Sequence, residues 1–287
     1  MSIDSSTTLY CLIGNPIDKS LSPLIHNEMF RIFGKNSIYL AFNIEENKLR
    51  DVIDGFKAIN VKGFNVTIPF KKTIIRYLDG LSPEAEILGA VNTVKNQDGK
   101  LIGYNTDGEG FYKTLRNNDI DVKDKNILLL GAGGAAYGIG ITLSTKGIKS
   151  IYIANRTREK AVNLEKEIKK INPNISTSIG DLSLREINKK DIDIIINATS
   201  IGMYPLENLS PIELNGFDKK TIVYDIVYKP RETKLIKEAN LRGFKAINGL
   251  SMLLEQAILS QKVWFNLDEK FLEKAKKVEG LLLVYVE

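Results

Sequence analysis

With 287 residues, 43% of them hydrophobic and 26% charged, the chain has the length of about two globular domains and an ordinary globular composition. The net charge is +5, but Lys and Arg are interspersed with Glu and Asp, and no basic-aromatic stripe predicts nucleic-acid binding. A single cysteine, Cys11, excludes an internal disulfide framework. With a single histidine, His26, it also argues against a zinc or other transition-metal centre.

The first 105 residues alternate between strand-like and helical runs. Met1 to Thr8 is polar and lacks the apolar segment of a signal peptide, so with the lone cysteine we expect a cytoplasmic protein. The predicted strands are 9–13, 38–42 and 63–67, the predicted helices are 23–33 and 46–59, and a hairpin joins 91–94 to 101–104 across an Asp98-Gly99 turn. This spacing predicts βαβ units and a mainly parallel sheet.

A second alternating series begins with a helix after Asp107. Its predicted strands are 126–130, 151–154, 192–196, 222–225 and 244–247, followed by helices at 250–264 and 268–279 and an apolar tail at 281–286. Ile127 to Thr145 carries no charge over nearly a membrane-spanning length, but its five glycines favour strand, loop and buried helix over a membrane span. We therefore predict an α/β protein of two domains with a cleft between them. Residues 1–106, completed by 249–287, form the first, and residues 107–248 form a Rossmann-type doubly wound second.

The turn after the strand 126–130 predicts a dinucleotide site. Its residues are Gly131, Ala132, Gly133, Gly134 and Ala135, and they lead from strand into helix. Such a turn lets backbone N–H groups approach a pyrophosphate at the positive end of the helix. A glycine-rich turn without any dinucleotide remains the alternative.

The end of the next strand indicates which dinucleotide binds. An NAD site has an acidic residue there, whereas this chain has Asn155, Arg156 and Thr157, followed by Arg158. A guanidinium pairs with a 2′-phosphate and offers nothing special to a bare hydroxyl. The sequence thus favours NADP over NAD.

In the first domain, Ser20 and Ser22 stand before a predicted helix. Ser22 followed by Pro23 is a good N-cap and first helical position, which explains Ser22 without a ligand. Ser20 is not explained in this way, and two hydroxyl groups beside a helix N-terminus would suit a carboxylate. A structural role and a carboxylate site both remain open.

Two further residues are candidates for proton transfer. We predict a helix starting at Pro69, which places Lys71 in its first turn, where the dipole favours the neutral amine that a general base needs. A surface lysine is the alternative. Asp107 opens another helix, as a cap or as a carboxylate at the mouth of the cleft. His26 is the obvious rival base, but it falls inside the first predicted helix, where a structural hydrogen bond is the expected role.

Several motifs resemble the shikimate dehydrogenase family. They are Gly14-Asn15-Pro16, Ser20-Leu21-Ser22-Pro23 with His26-Asn27, residues 65–71, 89–93 and 105–108, the glycine turn, Asn155-Arg156-Thr157, residues 197–200, 225–230 and 248–253, and Gln256. They follow the family's order from residue 14 to residue 256. The resemblance implies an NADP-dependent oxidoreductase that interconverts 3-dehydroshikimate and shikimate. We expect this small-molecule substrate, no nucleic-acid or membrane partner, and a homodimer as a candidate assembly.

The resemblance also implies residue roles. For the substrate these are Ser20 and Ser22 at the carboxylate, Tyr228 near it, and Thr67, Asn92 and Gln256 at the ring hydroxyls. Lys71 and Asp107 are the implied acid–base pair. For the cofactor, Asn155, Arg156 and Thr157 match the 2′-phosphate grip, and Ile226 and Gly249 match positions beside the nicotinamide.

One position departs from the family pattern, and rival functions stay open. Ser251 stands where members often have glycine, so a hydroxymethyl group could crowd the nicotinamide end. The rivals are a quinate/shikimate dehydrogenase that also uses NAD and a non-catalytic ligand-binding relative. A folate-type dehydrogenase has a similar layout but no reason for two serines at 20 and 22.

Overall fold

The computed structural model describes residues 3–268 and 274–286, and the chain divides into two compact units. The first comprises residues 1–106 and 256–282, and the second comprises residues 107–255 and 283–287. The sequence placed the whole stretch 249–287 with the first unit. The structure instead assigns 249–255 and the last five residues to the second, because the first turns of the helix that starts at Leu250 pack there.

The first unit alternates strands and helices as the hydrophobic pattern predicted. Its elements are β1 (Thr8–Gly14), α1 (Ser22–Ile32), β2 (Ser37–Asn43), α2 (Leu49–Ala58), β3 (Gly63–Val66), β4 (Gly80–Leu81), α3 (Pro83–Leu88), β5 (Thr93–Gln97) and β6 (Lys100–Tyr104). They form one six-stranded sheet in the order β2-β1-β3-β5-β6-β4. β1 pairs in parallel with β2 and β3, and β5 and β6 form the predicted antiparallel hairpin, with positive φ angles at Asp98 and Gly99.

The core of this unit lies on both faces of the sheet. Apolar side chains of β1, β3 and β5 pack against α2 on one face, for example Ile13, Phe64 and Val94 against Ile53. Tyr10, Leu12 and Tyr39 pack with Phe30 of α1 and with Trp264. Because both faces are covered, the carboxyl ends of β1 and β3 are where polar side chains can gather.

The second unit is a doubly wound sheet. Its elements are α4 (Asp107–Asn117), β7 (Asn126–Leu130), α5 (Gly134–Ser144), β8 (Ser150–Ala154), α6 (Arg158–Ile171), β9 (Ser176–Gly180), β10 (Ile194–Asn197), β11 (Ile222–Asp225), α7 (Lys234–Leu241), β12 (Lys245–Ile247) and the start of α8 (Leu250–Phe265). All six strands are parallel, in the order β12-β11-β10-β7-β8-β9. The chain reverses its winding between β7 and β10, which is where open α/β sheets bind ligands.

Two local predictions were wrong, and a third falls partly outside the residues that the structure describes. Pro69 starts no α-helix, because residues 68–72 form turns and a short 3₁₀ helix follows at Thr73–Tyr77. The predicted helix 268–279 lies partly outside the described residues, and Val278–Val286 is helical where we expected only an apolar tail. Among the helices described here, none is long and apolar enough to cross a membrane.

Candidate functional site

The two serines of the first unit lie together, although not as the capping argument predicted. Ser22 is the first residue of α1 rather than its N-cap, and Leu21 in the cap position makes no side-chain cap bond. The Ser20 hydroxyl accepts a hydrogen bond from the Ser22 backbone N–H at 3.2 Å and donates to Ser22 Oγ at 3.1 Å. Ser20 therefore satisfies the first backbone N–H of α1, and both hydroxyl groups are part-buried at the helix N-terminus.

Thr67 follows β3 directly and packs against the end of β1. A Cβ added to Gly14 would lie 2.3 Å from Thr67 Cγ2, so only glycine fits there. The Thr67 backbone N–H donates to the carbonyl of Ile13 at 3.0 Å. The carboxyl ends of the two parallel strands thus hold Thr67 in place, and its side chain is half-buried.

Asn92 is buried in a polar network that the sequence did not reveal. Its Oδ1 accepts from the Thr106 N–H at 2.9 Å and from the Thr93 hydroxyl at 2.9 Å, and its Nδ2 donates to Thr106 Oγ1 at 2.9 Å. Next to it, Asn65 Nδ2 donates to the Asn92 carbonyl and lies within hydrogen-bond distance of Thr93 and Ser260. Hydrogen bonds to both ends of the amide therefore hold the Asn92 side chain in one orientation.

His26 has a structural position, as expected. Its ring is fully buried, stacks on Tyr39 with centroids 4.3 Å apart, and lies 2.9 Å through Nδ1 from Nε2 of Gln261. Burial lowers the pKa of His26 to about 3, so the ring is neutral. His26 is therefore not a suitable rival to Lys71 as an acid or base.

Lys71 lies half-buried in the turn after β3. Its backbone carbonyl accepts from the Val91 N–H at 2.7 Å, which binds the turn to the start of the hairpin. The prediction that Lys71 lies in the first turn of an α-helix is wrong, because no α-helix begins at Pro69. Gln256, in the part of α8 that belongs to this unit, is half-buried as well.

In the second unit, Asp107 is the first residue of α4 and its side chain is buried. α4 crosses α5 closely: a Cβ added to Gly108 would lie 1.9 Å from Thr142 Oγ1 and 2.6 Å from the Gly138 carbonyl oxygen. A Cβ added to Gly138 would lie 3.7 Å from the Asp107 Cβ. Asp107 is thereby fixed against the helix that follows the glycine turn.

The glycine turn has the geometry that a pyrophosphate site needs. Gly131 has φ of +106°, and a Cβ there would lie 2.8 Å from the Ala198 carbonyl oxygen. Its N–H donates to the carbonyl of Ala154 at 2.8 Å, and Ala132 is buried. Gly133 and Gly134 are exposed with open space around them at the start of α5, and Ala135 is half-buried in its first turn. The backbone N–H groups at this helix N-terminus are accessible to an anion.

The end of β8 presents the predicted basic residue. Arg156 is exposed and Asn155 is half-buried, with its Nδ2 donating to the Thr157 carbonyl at 2.8 Å. Thr157 is the N-cap residue of α6 but makes no side-chain cap bond, so its hydroxyl is not used by the helix. A guanidinium, an amide and a hydroxyl group beside a second helix N-terminus suit a phosphate.

The ends of β10 and β11 carry residues that the sequence analysis did not assign to the site. Asn197 and Asp225 are both fully buried, and Asn197 Nδ2 donates to Asp225 Oδ1 at 2.9 Å.

Ile226 and Gly249 touch, since a Cβ on Gly249 would lie 1.9 Å from the Ile226 carbonyl oxygen. Tyr228 is half-buried, and burial raises its pKa. For Asn197 and Asp225, the signal available in the sequence was a polar residue at the end of each apolar strand.

Ser251 is half-buried in the first turn of α8 and lies close enough to the buried Tyr224 phenol to affect its pKa. The Tyr224 phenol oxygen lies 2.9 Å from Thr114 Oγ1. Ser251 thus lies beside the interior of the second unit. Among the described residues, no group of three or more His, Cys, Asp or Glu side chains is placed to hold a metal ion.

The fold and these two groups of side chains define a two-unit α/β protein whose second unit has Rossmann-type topology. The family model described as the shikimate dehydrogenase substrate binding domain matches residues 12–94, and that described as shikimate / quinate 5-dehydrogenase matches residues 114–241. The chain belongs to the shikimate dehydrogenase family.

Named relatives and a solved structure are similar over nearly the whole chain. The shikimate dehydrogenase (NADP(+)) of Caldanaerobacter subterraneus subsp. tengcongensis is 43% identical over 92% of this chain and 94% of its own. That of Methanocaldococcus jannaschii is 45% identical over 91% and 93%. The crystal structure of shikimate 5-dehydrogenase from Listeria monocytogenes in complex with shikimate and NAD has a TM-score of 0.89 and 38% identity, covering 97% of this chain and 98% of that one.

Proposed function

We propose that this chain catalyses the reversible NADPH-dependent reduction of 3-dehydroshikimate to shikimate. The proposal is carried by the glycine turn at Gly131, where the Rossmann-type sheet reverses its winding, together with Arg156 at the end of β8. The chain is also 43–45% identical to relatives named shikimate dehydrogenase (NADP(+)). The first unit binds the substrate and the second binds the cofactor.

The cofactor site suits NADP through contacts that the chain itself supplies. The open N-terminus of α5 at Gly133 and Gly134 receives the pyrophosphate, with Gly131, Ala132 and Ala135 shaping the turn. Asn155, Arg156 and Thr157 hold the 2′-phosphate, because a guanidinium forms charge-assisted bonds to it. Ile226 and Gly249 form the wall beside the nicotinamide. When bound, NADPH supplies the hydride, and the protein supplies orientation and protons.

The substrate site uses neutral hydrogen-bonding groups for the ring and hydroxyl groups for the carboxylate. Ser20 and Ser22 donate to the carboxylate near the N-terminus of α1, with Tyr228 completing that end. Thr67, Asn92 and Gln256 bind the ring hydroxyls. Asn92 is suited to this role because its amide is already oriented by Thr93 and Thr106.

Lys71 and Asp107 are the proposed acid–base pair. Lys71 Nζ delivers a proton to the carbonyl oxygen that becomes the new hydroxyl and takes it back in the reverse direction. The Asp107 carboxylate orients that hydroxyl. General acid–base catalysis of this kind contributes roughly 10²–10⁴ in rate.

Initial rates test the activity and its cofactor. Shikimate and quinate are each offered with NADP⁺ and with NAD⁺, for the natural protein, for Arg156→Ala and for Arg50→Ala, a control that removes an exposed arginine of α2. We expect shikimate with NADP⁺ to be the best pair, with NADP⁺ preferred at least tenfold, about 1.4 kcal/mol. Arg156→Ala is expected to raise only the KM for NADP⁺. No turnover with any pair would leave a non-catalytic ligand-binding protein.

A quinate/shikimate dehydrogenase that uses NAD is the second candidate. The matching family description joins shikimate with quinate, and the Listeria monocytogenes neighbour was crystallised with NAD. Comparable rates with quinate, or with NAD⁺, in the same experiment would favour it.

We also propose a cytoplasmic homodimer. The one cysteine, Cys11, is a buried free thiol, in keeping with a reducing compartment. β2 lies at the edge of the first sheet, and Leu40 and Phe42 on it are about two-fifths exposed. Sedimentation velocity measures the assembly, and a single species of 32.1 kDa would contradict a dimer.

A further inference from the structure

The buried carboxylate of Asp225 joins three segments at the carboxyl edge of the second sheet. Its Oδ1 accepts from Asn197 Nδ2 at 2.9 Å and from the Val227 N–H at 3.0 Å, and its Oδ2 accepts from the Thr233 hydroxyl at 2.6 Å. These donors come from the end of β10, the segment after β11 and the start of α7. One side chain therefore connects all three.

Each partner of Asp225 holds its own segment in turn. Asn197 uses its second amide hydrogen on the Ile201 carbonyl, and its Oδ1 accepts from the N–H and the hydroxyl of Thr199. Thr233 is the N-cap of α7, where its hydroxyl oxygen accepts from the Ile236 N–H at 3.3 Å. Both side chains use donor and acceptor atoms at once, which leaves them little freedom to turn.

The segment that Asp225 orders is the wall of the proposed cofactor site. The Ile226 N–H donates to the Asn197 carbonyl at 3.0 Å, and the Gly249 N–H donates to the Val227 carbonyl at 3.1 Å. Gly249 also touches the Ile226 backbone so closely that no Cβ fits. A shift of residues 226–227 would therefore move both residues that stand beside the nicotinamide.

We propose that Asp225 is a positioning residue for the cofactor: through Asn197, Val227 and Thr233 it holds residues 226–227 in the geometry that binds the nicotinamide half of NADPH. The proposal rests on the proposed function, because it takes Ile226 and Gly249 as the cofactor wall. Asp225 itself is fully buried, so it would act on the cofactor only through these neighbours.

The charge on Asp225 supports a positioning role over a merely structural one. Burial raises the pKa of Asp225 to about 6, against the opposing hydrogen bonds from Thr233, Val227 and Asn197. At neutral pH, above this pKa, the ionised form predominates, and its two oxygens accept from all three donors. Burying an ionised group costs free energy, which a neutral residue packed in its place would avoid.

Four variants separate positioning from stability. Asp225→Ala removes the acceptors, and Thr233→Val removes one donor together with the α7 cap. Thr233→Ser keeps both. Ser82→Ala is the matched control, since Ser82 caps α3 in the first unit through an equal 3.3 Å bond from the Ala85 N–H. For each variant, the NADPH dissociation constant is measured by fluorescence titration, the melting temperature by calorimetry, and the KM for NADP⁺ and for shikimate by initial rates.

We expect Asp225→Ala to weaken NADPH binding and to raise the KM for NADP⁺, each at least tenfold. We expect Thr233→Val to change both quantities in the same direction, by about fivefold. The KM for shikimate is expected to stay within threefold. Thr233→Ser is expected to bind NADPH within twofold of the natural protein, and Ser82→Ala to lower the melting temperature without changing NADPH binding.

NADPH binding within twofold of the natural protein in a folded Asp225→Ala enzyme would overturn the proposal. If Asp225→Ala does not fold, unchanged NADPH binding by Thr233→Val would overturn it equally. Failure of the natural protein to bind NADPH would instead contradict the proposed function, so the two outcomes are distinct.

Discussion

At the scale of single residues, hydrogen bonds decide what each polar side chain is able to do. Ser20 and Ser22 differ by two positions, yet only Ser20 accepts a backbone N–H. Asn92 and Asp225 are both buried, but Asn92 is a neutral amide held by Thr93 and Thr106, whereas Asp225 is a carboxyl group with three donors. Substitutions at these residues therefore have separable effects on binding and stability.

The first residue-scale prediction separates the two serines. Ser20→Ala removes the acceptor of the Ser22 N–H, so we expect it to cost about 1 kcal/mol of unfolding free energy and to weaken shikimate binding. Ser22→Ala removes no cap and is expected to weaken shikimate binding with a smaller loss of stability. Urea denaturation and the KM for shikimate measure the two effects. Unaltered kinetics in both variants would remove the serines from the carboxylate site.

The second residue-scale prediction concerns pH. The pKa of Asp225 in the folded protein, about 6, is higher than its ordinary value of 3.8, so the folded state binds the proton more tightly than the unfolded state. The contribution of Asp225 to stability is therefore full below about pH 4 and is lost as the pH rises through 6. The loss is about 3 kcal/mol at the usual conversion of 1.4 kcal/mol per unit.

Asp225→Asn does not titrate, and this makes it the variant for that measurement. We expect its unfolding free energy, relative to that of the natural protein, to rise between pH 4.5 and pH 7.5. The groups that face Asp225 are the Asn197 amide, the Thr233 hydroxyl and the Val227 N–H, with the Tyr224 phenol on the same strand, and none of them titrates in this range. A difference that is constant with pH would contradict the shift.

At the scale of elements, close backbone approaches position the site residues. α4 and α5 meet at Gly108, Gly138 and Thr142, with no room for a Cβ at Gly108. α4 begins with Asp107 and α5 begins at the glycine turn. The contact of the two helices thus relates a proposed catalytic carboxylate to the proposed pyrophosphate site.

Gly108→Ala tests this helix contact. The added methyl group would overlap Thr142 Oγ1 and the Gly138 carbonyl, so we expect α4 to shift at a cost of about 1–3 kcal/mol and the turnover number to fall. Gly55→Ala in α2 is the control, because its Cβ meets nothing within 4 Å and alanine favours a helix by up to about 1 kcal/mol. Equal stability changes in the two variants would show that the contact is not tight.

At the scale of the whole molecule, the residues with proposed catalytic roles belong to different units. Lys71 belongs to the first and Asp107 to the second, and α8 contributes Leu250–Glu255 to the second unit and Gln256 onward to the first. The proposed acid–base pair is inferred from the family motifs, so kinetics must test it.

Lys71→Ala, Asp107→Asn and the double variant form that test. We expect each single change to lower the turnover number about 10²–10⁴-fold while the KM for shikimate changes far less, since Ser20, Ser22 and Asn92 remain. The double variant is expected to be little worse than the worse single one, because groups that act as a unit are not additive. Circular dichroism checks folding. A Lys71→Ala enzyme within threefold of natural turnover would show that the proton passes through another group.

The sequence by itself determined the features that depend on neighbouring residues. The period of apolar residues located the strands from β1 to β12 except β4 and β9, and the Asp98-Gly99 turn located the hairpin, because both patterns act within a few residues. Gly131 to Gly134 and Arg156 follow consecutive strands of a βαβ unit, so their meeting at one sheet edge was predictable. The family motifs added the residue roles.

The tertiary structure decided what depends on distant partners. The helix expected at Pro69 is replaced by a turn because the Lys71 carbonyl bonds to the Val91 N–H, 20 positions away. Ser251 lies beside the buried Tyr224 phenol of the second unit, a neighbour 27 positions away along the chain. Asp225 became a candidate because Asn197 and Thr233 converge on it from separate elements. A buried hydrogen-bond network needs the packed fold, since its members are distant along the chain and only burial makes an unpaired polar group costly.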